Sequence, residues 1–181
     1  MESSVSLKGQ NLENDEQKKA SWGSWAFFLV SLVILFVIFR FIIGVITISG
    51  DSMNPTLEDG DILLTSNLFY TVDRNDIIIF RDENGFNVIK RVIGLPNDTI
   101  AIQDGIVSVN GEMINETYTT GLPNDMEEVI VPSESYFVIG DNRTPGESLD
   151  SRSDRVGSIN ESNVLGKVMI SIFPFSLKVE K

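Results

Sequence analysis

At 181 residues the chain is long enough for one well-cored domain plus an anchor, and short for two independent domains. It contains no cysteine and no histidine, which excludes disulfides, thiolate and His-ligated metal sites, cysteine nucleophiles and every triad with an imidazole base. A formal net charge of -12, with no cluster of Lys and Arg, excludes nucleic acid as a partner.

Residues 1–21 are polar, carry both signs of charge without periodicity, and read as a disordered cytoplasmic tail. From Trp22 to Phe39 there is no charged residue, and a helix of that length, about 27 Å at ~1.5 Å per residue, nearly matches a bilayer core of about 30 Å. Residues 22–40 are therefore predicted to be a transmembrane anchor, with Trp22 and Trp25 in an aromatic belt and Arg40 snorkelling at the far end. Lys18 and Lys19 precede it, and no Lys or Arg occurs between Phe41 and Leu64, so the positive-inside rule puts the N-terminus in the cytoplasm and residues 41–181 outside. A cleavable export signal is the competing reading; no small-x-small site follows the apolar run, which favours an uncleaved anchor.

Beyond the anchor the pattern changes to short β-branched runs. Strands are expected at Phe41 to Ile48, Asp61 to Leu64, Asp76 to Phe80, Phe86 to Ile93, Thr99 to Gln103, Ile106 to Val109, Tyr136 to Gly140 and Lys167 to Phe173. The dipeptides Asp104-Gly105 and Asn110-Gly111 sit where tight hairpin turns need positive φ. The fold expected is mostly β: one N-terminal transmembrane helix, then a single β-rich domain of curled antiparallel sheets.

Without histidine, a hydrolase here needs Lys, Asp, Glu or Tyr as base, or an oxygen-ligated metal. Of the four lysines after the anchor, Lys178 and Lys181 lie in the tail, whereas Lys90 interrupts the apolar run NVIKRVIGL. Burial there would lower its pKa from about 10.4 towards values at which a neutral amine accepts a proton; an edge strand showing Lys90 to water is the plain alternative. Ser52, in SGDSMNPTL, is either an ordinary turn residue or a nucleophile activated by a lysine, with its own N–H available to an oxyanion. The loop GDNRTPGESLDSRS, from Gly140 to Ser153, interleaves Asp141, Arg143, Asp150 and Arg152 and reads as a charge-paired, self-rigidifying segment. Its carboxylates lack Ca-loop spacing, so no metal is expected.

Taken together, SGDSMNPTL, KRVIGLPND and GDNR followed by DSR resemble the type I signal peptidases in content, order and spacing, with an anchor directly upstream. The single anchor, acidic exterior and Gly50 are most similar to the enzymes of Gram-positive bacteria. The resemblance implies a serine endopeptidase that removes signal peptides from exported preproteins, with Ser52 as nucleophile and Lys90 as general base. It further implies that Ser148 orients the lysine amine and that Asp150 and Arg152 form a supporting ion pair with Asp141 beside them. Ile48, Met53 and Ile89 would line shallow pockets for small side chains, along which the substrate binds as an added strand. No cofactor is expected; the implied partners are preprotein signal peptides, the lipid bilayer and the protein-export machinery nearby. A non-proteolytic, signal-peptidase-like assembly factor, for example for pili, is the alternative. Two departures from the family pattern stand out: the longer insert TPGESL between GDNR and DSR, and Gly50 where some relatives carry a serine that helps the oxyanion hole.

Overall fold

The computed structural model describes residues 22–175; the N-terminal tail read above lies outside the described residues. The chain divides into two units, with the boundary between Phe41 and Ile42. Among the described residues the first consists of the helix Trp22–Ile42, whose final residue falls in the second unit; none of its long apolar window is buried against protein, which suits a lipid surround. Its last turn, Ile38–Ile42, is a π-helix, so helical backbone runs two residues past the expected end at Arg40 and strand β1 begins at Ile43 rather than Phe41.

The second unit is all β apart from a short 3-10 turn at Glu161–Asn163. In chain order its strands are β1 (Ile43–Thr47), β2 (Ile62–Ser66), β3 (Ile77–Arg81), β4 (Asn87–Gly94), β5 (Thr99–Gln103), β6 (Ile106–Val109), β7 (Glu112–Met113), β8 (Met126–Ile130), β9 (Ser135–Ile139), β10 (Ile159–Asn160) and β11 (Val164–Phe173). They form a seven-stranded sheet ordered β1-β2-β11-β3-β4-β9-β10 and a four-stranded sheet ordered β7-β6-β5-β8. Every strand pairing is antiparallel. At the β5–β6 turn Asp104 and Gly105 have φ of 52° and 76°, and at the β6–β7 turn Asn110 and Gly111 have 54° and 80°, as two-residue hairpins of this twist require.

Strands β3 and β9 are buried along nearly their whole length, and β4 from Lys90 onward, because side chains from both their faces enter core clusters. Ile77 and Ile79 join Ile48, Met53, Leu57, Leu63 and Val168 in one core cluster. Ile78 and Phe80 turn the other way and pack with Val92, Tyr136 and Val138. Ile93, Phe137 and Ile139 meet Ile100, Ile102, Val107 and Val109 of the smaller sheet, and Val131 just past β8, in a third cluster. Each such fully buried aliphatic side chain contributes about 1.5–3 kcal/mol, so β3, β4 and β9 are the strands most heavily anchored by apolar burial.

Candidate active site

Every group described below belongs to residues 42–181. The SGDSMNPTL segment leaves β1 as a series of tight turns: Asn54 N–H donates to Asp51 O (3.1 Å), and Thr56 and Leu57 N–H both donate to Met53 O (2.9 and 3.0 Å). Met53 and Leu57 anchor these turns by plugging into the first core cluster, and Ser52 is left half-buried above it. Gly50 has φ of 95° and its N–H donates to Asp59 Oδ1 at 2.8 Å. There is open space around its Cβ position, so backbone conformation rather than crowding is what favours glycine here.

Lys90 lies within β4, opposite Ile78 of β3, and is only 4% exposed. Its Nζ donates to Ser52 Oγ at 2.6 Å and to Ile89 O at 3.0 Å. Burial pulls the ammonium from its ordinary 10.5 down to about 8; the charge of Asp150 opposes this, Arg152 adds to it, and Asp141 opposes it.

Two ion pairs flank this contact. Arg152 clasps Asp150 with Nε and Nη2, both at 2.8 Å, and Asp150 Oδ2 also accepts from Gly140 N–H (3.0 Å) and from Ser148 Oγ (2.6 Å). Burial alone would raise the Asp150 carboxyl, but the Arg152 hydrogen bonds and charge, with those of Gly140 and Ser148, outweigh it and hold the group below its usual range. Asp141 belongs to a separate pair: Arg91, beside Lys90 on β4, grips it through Nε (2.8 Å) and Nη2 (2.6 Å), and both side chains are essentially inaccessible. The peptide after β9 then fastens the serine: Asn142 N–H donates to Ser52 O (3.1 Å) and Asn142 Nδ2 to Asp51 O (3.3 Å). Gly140 is required here because a Cβ would run into the carbonyl oxygen of Ser52 and the hydroxyl of Ser148.

Of the residues singled out in the sequence, Ser52, Lys90, Ser148, Asp150 and Arg152 thus converge on one place. The hydroxyl of Ser148 is engaged with Asp150, while the Lys90 amine is engaged with Ser52 and a backbone carbonyl. Asp141 is one step removed, facing Arg91. Ile48 and Met53 are 5% and 2% exposed and serve in the core, against which the half-buried Ile89 packs. Sequence reasoning missed Arg91, Glu116 and Tyr118. The signal available for Arg91 was its place inside an apolar run that leaves no solvent face for a cation.

A model of the family described as signal peptidase, peptidase S26, matches residues 20–173, and the chain belongs to that family. It is similar to the signal peptidase I of Bacillus licheniformis, 34% identical over 180 residues that cover 91% of this chain and 95% of the relative. It is also similar to signal peptidase IB of Staphylococcus aureus, 33% identical over 169 residues covering 81% of this chain and 86% of the relative. A crystal structure of a signal peptidase I from Enterococcus faecalis matches 55% of this chain and 98% of its own, at 30% identity and a TM-score of 0.49. The likeness read from the three sequence blocks is therefore one of family.

Proposed function

We propose that the chain is a membrane-anchored serine endopeptidase that removes signal peptides from exported preproteins, with Ser52 as nucleophile and neutral Lys90 as general base. Family membership supports the activity; the 2.6 Å contact between a buried lysine and a half-buried serine supports the mechanism. With the amine near 8, roughly one molecule in ten holds it neutral at pH 7. That amine takes the Ser52 proton as Oγ bonds the scissile carbonyl carbon. The resulting ammonium returns the proton to the leaving amine as the C–N bond breaks, giving the new N-terminus and an acyl-enzyme. Water, deprotonated by the same amine, then releases the signal peptide as a carboxylate.

Asp150, held below its usual range, stays a carboxylate that does not take up the proton in transit, and its ion pair keeps Arg152 in place. Ile48 and Met53 are core residues with little surface of their own, so of the three expected pocket residues only the half-buried Ile89 retains area for a substrate side chain. A shallow contact of that kind suits small side chains next to the cut. The N-terminus lies in the cytoplasm and the catalytic domain outside, by the charge asymmetry around the helix.

The deciding experiment incubates full-length protein in detergent with a preprotein and sequences the new N-termini. Ser52→Ala should abolish cleavage with an unchanged melting profile, because it removes a half-buried hydroxyl and no core volume. Cleavage by the wild type should follow small residues at the first and third positions before the cut. Turnover by Ser52→Ala at the wild-type rate would end the assignment, and absence of cleavage by wild type would return the assembly-factor reading.

A further inference from the structure

Between β7 and β8 the chain crosses residues 114–125 without forming a strand, yet the part from Glu116 to Thr120 is tied down more heavily than an ordinary surface loop. Glu116 faces the buried guanidinium of Arg143, accepting from Nη1 at 2.7 Å and from Nη2. Tyr118 lies under Arg91, whose guanidinium carbon is 4.1 Å from the ring centroid, and its hydroxyl donates to Glu116 Oε1 at 3.0 Å. The carbonyl of Tyr118 accepts from Thr56 Oγ1 in the serine segment (3.4 Å). Thr120 pairs with the peptide after β9 in both directions, its N–H to Asp141 O (3.1 Å) and its carbonyl from Arg143 N–H (2.7 Å). It is Asn142, between those two residues, that holds the carbonyl of Ser52.

We infer that Glu116, seconded by Tyr118, positions the nucleophile: it locks Arg143, and so fixes the turn at 140–143 from which Ser52 hangs. Arg143 also donates from Nε to Gly140 O at 2.8 Å, so its guanidinium links Glu116 to the peptide just after β9. The argument rests on the Ser52–Lys90 reading above. Glu116 touches neither of those residues, and its effect is on where Ser52 sits rather than on the proton chemistry, since the charges that act on Lys90 are those of Asp150, Arg152 and Asp141. A misplacement well under an ångström at a nucleophile already lowers the chemical step by about tenfold, while an extended substrate is held by contacts elsewhere.

The test is steady-state cleavage of a preprotein by full-length Glu116→Gln in detergent, at a temperature far below its melting point and normalised to the folded fraction. The expected result is kcat lower by about tenfold or more, KM within about twofold, and the acid limb of the pH profile unmoved. Tyr118→Phe, which keeps the ring on Arg91 but loses the hydroxyl, should lower kcat by a smaller factor in the same direction. If Glu116→Gln does not melt cooperatively, Glu116→Asp, which keeps the charge beside Arg143, is read by the same criteria. A kcat within twofold of wild type, or a loss carried wholly by KM, overturns the inference while leaving Ser52→Ala inactive. Activity retained in Ser52→Ala would instead overturn the mechanism on which it rests.

Discussion

Lys90 sits at a cost to the fold that the proposed role as general base would explain. Its amine is lowered to about 8 in the folded chain and titrates near 10.4 when unfolded, so between those values the unfolded chain binds the extra proton and stability rises with pH. Below about 8 both states are protonated and the penalty, on the order of 3 kcal/mol, is fully present. Asp141 and Asp150 keep their own arginine partners if the lysine is removed. Lys90→Met should therefore melt higher than wild type at pH 7, by a margin that narrows towards pH 10.5, while losing all cleavage. Lys90→Arg should be as inactive as Lys90→Ala, since a guanidinium cannot become a neutral base. Cleavage by the wild type should fall on acidification below about 8. Thermal melts at the two pH values and kcat/KM against pH check these; a Lys90→Met protein less stable than wild type at pH 7, or appreciable turnover by Lys90→Arg, contradicts them.

At the scale of turns and strands, two glycines separate the requirements of folding from those of the site. Gly111 has a φ of 80° but open space around its Cβ position, so Gly111→Ala should cost about 1 kcal/mol and leave turnover unchanged. Gly140 is the reverse case: its Cβ would meet the backbone of Ser52, so Gly140→Ala should displace the nucleophile turn and lower kcat by about tenfold or more, with a stability loss of about 1–3 kcal/mol. Equal kcat for the two variants would sink the distinction. The same scale shows what the sequence could reveal. The runs IIIF, TIAIQ and IVSV announced β3, β5 and β6 because each buries at least one face. Strand β8, Met126–Ile130, escaped notice because its five residues are all half-buried or exposed and two are glutamates, so no alternation is written into it. The two-residue strands β7 and β10 are too short to carry a period. Lys90 stood out because a cation interrupts an apolar run, whereas Ser52 is ordinary in its turn and was singled out by the SGDSMNPTL block as a whole. Glu116 was not, since a glutamate in a loop is unremarkable until the fold brings Arg143 to it.

For the whole molecule, the absence of cysteine makes the orientation directly measurable. Glu83→Cys, on the exposed turn after β3, should react with a membrane-impermeant maleimide in intact cells, and Ser3→Cys only after lysis. The opposite pattern would reverse the topology. The doubly covered strands β3, β4 and β9 have a further consequence, one of motion. Their amides are released only when the molecule opens globally, whereas those of β8 and the β5–β6 turn can exchange through local fluctuations. Native-state hydrogen exchange should therefore rank Ile78, Val92 and Val138 among the slowest amides and Glu127 and Glu128 among the fastest. Because Lys90 is carried on β4 and Ser52 is tethered just past the end of β9, the reacting pair would ride on the part of the chain that moves least. An enzyme built this way meets a mobile, extended substrate with a stationary centre, and the adjustment on binding falls to the substrate.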